Sequence, residues 1–165
     1  MFKNAFLATF LFASAICYAQ KPVTKGSHAI PVSLKIDKNI SDSALVDLVQ
    51  KQTIRYFWDF AHPVSGMARE RSNQSFNYGH EVVTTGGTGF GIMAIITGVN
   101  RGWIQRDTAA RFLLKMVRFL YKADAYHGVF PHWLNGETGK TIPFSRKDDG
   151  ADLVESAFLF QGLLC

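Results

Sequence analysis

The chain has 165 residues, 47% of them apolar, with 14 Phe and a formal charge of +5. Its basic residues, among them Lys35, Arg69, Arg71, Arg101, Arg111 and Lys115, are scattered along the chain, which describes a solvated surface and excludes a nucleic-acid stripe. Past the first twenty residues no run approaches the roughly 18 apolar residues of a membrane span, so none is expected in the mature protein.

The opening reads as an export signal. Lys3 precedes an apolar run from Phe6 to Ile16, and Cys17-Tyr18-Ala19 puts small residues where signal peptidase reads them. Cleavage after Ala19 makes residues 1–19 a signal peptide and the product periplasmic or secreted. A lipidated Cys17 would need a small residue where Ile16 stands. Cys165 is then the remaining cysteine, so no internal disulfide is available and stability must come from burial. Residues 20–40 read as a linker with a short extended piece over Val32 to Ile36, and residues 41–165 as a helical domain.

Ser41 or Asp42 is positioned to cap a first helix running to about Phe60, with Pro63 as its stop. Leu45, Leu48, Val49, Tyr56, Phe57 and Phe60 form one apolar face, and Ile54 and Trp58 make the far side apolar too, which predicts packing on both sides. Residues 61–83 have no helical period and read as a loop with short strands. Thr84 and Thr85 introduce a Gly-rich second helix to about Val99, with Gly102 as its stop. Asp107 is the expected cap of a third helix, Thr108 to about Tyr121, with Phe112, Leu113, Met116, Val117 and Leu120 inside. Residues 124–147 form a turn-rich excursion in which Asn135-Gly136 signals a hairpin. A fourth helix is expected from Asp148. Four helices that are apolar on two sides cannot close a core by themselves, and the last residues, Gly162 to Cys165, run on as helix without a cap. The expectation is an all-α fragment of a larger domain, with minor strand content in its loops.

Two stretches imitate nucleotide sites. Gly136-Glu137-Thr138-Gly139-Lys140-Thr141 ends like a P-loop, but Leu134 stands where the first glycine belongs and Pro143 follows where a helix must begin. Gly89-Phe90-Gly91-Ile92-Met93-Ala94 matches a dinucleotide fingerprint, yet no alternation of strands and helices follows it. Close helix packing explains those glycines as well. His80, His127 and His132 are dispersed, so no metal site is expected, and no G-x-S-x-G motif argues for acyl chemistry.

Asp148, Asp152 and Glu155 stand at i, i+4 and i+7. On a helix these positions share one face within roughly 60°. Around them lie Ala151, Leu153, Val154, Ala157, Phe158, Leu159 and Phe160, which belong in a core, and like charges at i, i+4 repel. Carboxylates on an otherwise buried helix need partners or a function. The helix dipole accounts for acids in a first turn, Asp148, Asp149 and Asp152, and accounts less well for Glu155. Asp148, Asp152 and Glu155 are therefore the candidate catalytic residues. Tyr126, His127, Phe130, His132 and Trp133 crowd the preceding loop, as aromatics do where sugar faces stack, although loop packing explains one Trp equally well. Arg69, Glu70 and Arg71 add hydrogen-bonding charges or form a surface ion-pair cluster. With these, Trp133, His132 and Asp149 complete the candidate substrate-binding set.

The stretches FWDFAHPVSGMARER, VTTGGTGFGIMAIITGVNRGWI and YHGVFPHWLNGETGKTIPFSRKDDGADLVESAFLFQGLL closely resemble the bacterial glycoamylase-like family, which includes the endo-β-1,2-glucanases of glycoside hydrolase family 144. The resemblance runs from about residue 42 onward. It implies an (α/α)6 barrel of twelve helices, of which this chain supplies about four, and inverting hydrolysis of β-1,2-glucan or its oligosaccharides without a cofactor, by a protein that is monomeric at full length. The family's D-x-x-x-D-x-x-E motif falls on Asp148, Asp152 and Glu155. A non-catalytic glycan-binding protein and a polysaccharide lyase on a helical barrel are the competing readings; Arg69, Arg71 and His132 leave the lyase open.

Overall fold

The computed structural model describes residues 39–72 and 81–165. The expected signal peptide, all of the expected linker except Asn39 and Ile40, and His80 lie outside these residues. The described residues form four helices, α1 (Asp42–Trp58), α2 (Thr85–Asn100), α3 (Arg106–Leu120) and α4 (Leu153–Leu163), with three short strands, β1 (Val82–Thr84), β2 (Trp133–Asn135) and β3 (Thr141–Ile142). Helices carry the framework and strands are confined to the connections, as the residue pattern predicts. Among the described residues no helix is long and apolar enough to cross a membrane.

Capping chemistry sets most helix boundaries. The Ser41 side chain accepts the Ala44 amide and starts α1. The Thr84 side chain accepts the Gly87 amide and starts α2. Helix α1 ends at Trp58, ahead of Pro63, where Asp59 closes the last turn and pairs with Arg55 at 2.6 Å. Its inward residue is Ile54, whereas Val46 and Val49 are exposed, so the expected burial of both faces is not found in this chain. Helix α3 starts one residue before the expected Asp107 cap, from Gln105, which makes no side-chain cap bond. Met116 and Leu120 face the core as expected, while Val117 is exposed.

Helix α2 is the hub: it packs against α1, α3, α4 and β1. Its tightest neighbour is α4. A Cβ on Gly89 would collide with the Phe158 carbonyl, and one on Gly162 would collide with the Gly89 backbone. The dinucleotide-like glycines are thus packing surfaces, because only residues without a side chain allow this approach.

The strands form one antiparallel sheet in the order β1-β2-β3, with Val83 opposite Leu134 and Trp133 opposite Ile142. The β2–β3 hairpin turns through the P-loop look-alike. Asn135 Oδ1 accepts the amides of Glu137 and Thr138, and Lys140 pairs with Asp124 at 3.0 Å. One core gathers Met67, Val83, Ile92, Met116, Leu134 and Leu159, and a second gathers Ile54, Ile95, Ile104 and Ala109. The first core joins the sheet to α2, α3 and α4, and a bridge between Pro131 and Ala151 holds the approach to β2 against the approach to α4.

Candidate active site

Helix α4 does not begin at Asp148. It begins at Leu153, and Asp152 is its N-cap, with Oδ1 accepting the Val154 and Glu155 amides at 2.9 and 3.0 Å. A side chain that satisfies two amides left over at a helix start outcompetes one more helical turn there. Asp148 sits instead in a tight turn in which it and Ser145 exchange backbone hydrogen bonds. The shared helical face is therefore not the reason for the cluster, yet the three carboxylates still converge.

They converge on His132, just ahead of β2. Its Nδ1 lies 3.0 Å from Asp152 Oδ2 and 3.8 Å from Asp148 Oδ2, and its Nε2 lies 4.0 Å from Glu155 Oε1. Phe144 stacks on the imidazole at 4.1 Å between centroids, holding the ring plane. The backbone fixes both sides. Thr85 N–H donates to His132 O, Asp152 N–H donates to Phe130 O, and the Phe130 amide donates to Ser156 Oγ. Glu155 Oε2 accepts the Gly86 amide at 2.8 Å and faces Thr84 Oγ1 at 3.5 Å. Both ends of the site are thereby tied to the start of α2. Partial burial works to raise the Asp152 pKa, but the bonds from the Glu155 amide, His132 and the Val154 amide outweigh it and hold the carboxyl below its ordinary value.

The other candidates fall elsewhere. Trp133 is 6% exposed, edge-on to His132 and packed on Phe144, so its indole supports the site from beneath and offers no open face to a sugar. Arg69 is buried on the opposite side of β1 from β2, bridging Val83 and donating to Phe60 O while its guanidinium lies over the Phe60 ring. Glu70 and Arg71 pair with each other. Asp149 is exposed. Sequence reasoning gives Thr84 a place at a helix start and no part in the site, and does not single out Gly86, Phe144 or Ser156. The Thr-Thr-Gly-Gly run at a helix start is the signal that could have pointed to two of them.

Donor atoms of His132, Asp148 and Asp152 lie within 4.8 Å of one another, the geometry in which a cation could be held. The His132–Asp152 bond and the Asp152 cap already engage the best-placed of these atoms. An imidazole between carboxylates has its own chemical use: it orients them and relays charge between them.

No protein-family profile matches the chain. Individual relatives do. The exo β-1,2-glucooligosaccharide sophorohydrolase (non-reducing end) of Parabacteroides distasonis is 47% identical over 126 residues, 76% of this chain and 17% of that protein. The solved endo-β-1,2-glucanase of Chitinophaga pinensis, in complex with sophorotriose and glucose, is 53% identical over 76% of this chain and 31% of that one, with a TM-score of 0.73. The β-1,2-glucanase of P. distasonis is 48% identical over 76% of this chain and 18% of that one, with a TM-score of 0.70. The chain thus spans less than a third of each of these relatives. It is a homologue of glycoside hydrolases. Over about three quarters of its length it is similar to β-1,2-glucan hydrolases, the class of enzyme that its motifs resemble.

Proposed function

We propose that this chain contributes the acid-bearing wall of an exported glycoside hydrolase that cleaves β-1,2-glucan internally with inversion. The observation that carries the reading is the convergence of Asp148, Asp152 and Glu155 on one imidazole, in a chain about half identical to β-1,2-glucan hydrolases. Inversion needs a protonated carboxyl at the leaving oxygen and a carboxylate on the water, about 6.5–9.5 Å apart. Asp148 and Asp152 approach more closely than that, so these two are not the acid–base pair, and the reading takes the carboxyl opposite Asp148 from elsewhere in the barrel. Asp152, held ionised by amides and by His132, is unsuited to donate a proton and suited to orient His132. Asp148 is the most open of the three, its side chain 34% exposed against 18% and 19% for Asp152 and Glu155, and is the carboxyl best placed to meet a glucosyl oxygen.

The test is to incubate the whole protein with β-1,2-glucan and follow product anomers by NMR from the first turnover. The expected result is short sophoro-oligosaccharides released as the α-anomer. Release of the β-anomer would overturn inversion. Glycan binding without cleavage would support a non-catalytic binding protein, and an unsaturated product from a uronic-acid polysaccharide assayed in parallel, with β-1,2-glucan untouched, would support a lyase.

A further inference from the structure

The start of α2 reaches the acidic site through one glycine. We propose that Gly86 is a positioning residue for Glu155: its amide fixes one carboxylate oxygen, and its missing side chain leaves room for that oxygen to sit there. This inference rests on the hydrolase reading of the acidic site. Oε2 is held by Gly86 N–H at 2.8 Å, with Thr84 Oγ1 behind it at 3.5 Å, while Oε1 turns toward His132 Nε2 at 4.0 Å. The two oxygens thus have separate tasks, one anchoring and one facing the site. Packing of Gly89 against the α4 backbone sets the spacing between the two helices, so the Glu155 side chain spans a fixed distance.

The steric side of the argument predicts how the anchor fails. A Cβ at position 86 would stand 2.5 Å from Glu155 Oε2 and 3.0 Å from its Cδ. The colliding atoms are the end of a flexible side chain, not backbone. An alanine there can be accommodated by swinging the carboxylate away, which leaves the fold intact and removes Oε1 from His132. Misplacing a reacting or orienting group by about 1 Å costs on the order of 10²-fold in rate.

The experiment compares wild type with Gly86→Ala in the whole protein, measuring kcat, KM, the pH dependence of kcat and the thermal midpoint. The expected result is a kcat lower by about 10- to 100-fold, a KM changed by less than about threefold, a displaced limb in the pH–kcat profile and a midpoint near wild type. A Gly86→Ala protein with wild-type kcat and pH profile overturns the proposal, as does a loss of activity that tracks the unfolded fraction. If Gly86→Ala does not fold, the Gly86→Ala/Glu155→Ala pair decides: recovery of folding supports a clash with Glu155, and continued misfolding overturns it. A wild type inactive on β-1,2-glucan would instead remove the hydrolase reading. Comparing a crystal structure of Gly86→Ala with that of wild type would then decide whether the substitution moves the carboxylate.

Discussion

Asp152 serves α4 and His132 at once, one oxygen for each. The repulsion argument from sequence expects that removing any charge of the cluster relaxes the fold, and at this residue the cap reverses the sign. Asp152→Ala is expected to cost about 0.5–2 kcal/mol, the usual range for an N-cap, whereas Asp152→Asn keeps an acceptor and loses less. The cap contribution follows pH accordingly: the folded carboxyl titrates below its ordinary value, so its stabilisation is present above the unfolded pKa and is lost as pH falls through the folded one. For activity, Asp148→Asn, Asp152→Asn and Glu155→Gln are each expected to lower kcat on β-1,2-glucan by about 10²-fold or more, with exposed Asp149→Asn milder. Steady-state kinetics and thermal midpoints of the four variants check this. Loss of stability with activity kept would mark the cluster as a structural knot. The acids were legible in sequence because carboxylates among core residues need a reason to be there. The central place of His132 was not, because it depends on β2 pairing with β1, a contact far apart along the chain, and on the Ser145–Asp148 turn, which takes Asp148 out of the helix.

At the scale of elements, the starts of α1 and α2, the body of α3 and the hairpin could be read locally, since caps, periodicity and Asx turns act within a few residues. The start of α4 was misread because alternation of acids with apolar residues looks helical whether or not the first turn is spent on a cap. The α2–α4 contact was legible only as a hint in the glycines. Gly89→Ala tests it by setting two magnitudes against each other. In an open helix Gly→Ala gains about 1 kcal/mol, while overpacking a tight interface costs about 1–3 kcal/mol or more. Here the colliding atoms are backbone, which cannot swing aside, so the thermal midpoint is expected to fall, and a rise would show that the helices can separate freely. A second joint is His62, buried beneath the β2–β3 hairpin. Its Nδ1 accepts the Val64 and Ser65 amides, so Nε2 carries the proton and donates to Glu81 Oε2 at 2.6 Å. Burial lowers its pKa below 6.5, against the raising effects of Glu81 and Glu137 and with help from Arg69. A depressed histidine stabilises fully above its unfolded pKa and loses that contribution as pH falls toward the folded value. The midpoint is therefore expected to decline below about pH 6.5, and His62→Gln, although less stable at neutral pH, is expected to flatten that decline.

At the scale of the molecule, the distribution of apolar surface connects the fold to the proposed barrel. One side of α4 is buried through Ser156, Leu159 and Gly162, while Leu153, Val154, Phe158, Phe160 and Leu164 are exposed at 75%, 64%, 43%, 43% and 83%. On α1, Val46 and Val49 are exposed at 53% and 55%. Single exposed apolar residues are ordinary, but several together on one helix mark a surface that another element covers. The sequence argument reached the same point from helices apolar on two sides, and the structure shows which side each helix leaves open. The acidic site lies at the start of one of these exposed helices, so an element that covers α4 also borders the site. The 165-residue chain expressed alone is accordingly expected to bind a hydrophobic dye, to self-associate at micromolar concentration and to lack hydrolase activity. Without the opposing wall the acid and base cannot be held to about 0.5 Å. Dye fluorescence, sedimentation and a β-1,2-glucan assay on the same preparation test the three statements together. A monomer with a sharp thermal transition, no dye binding and measurable turnover would mean that the exposed faces need no cover and that both carboxyls of the reaction lie within this chain.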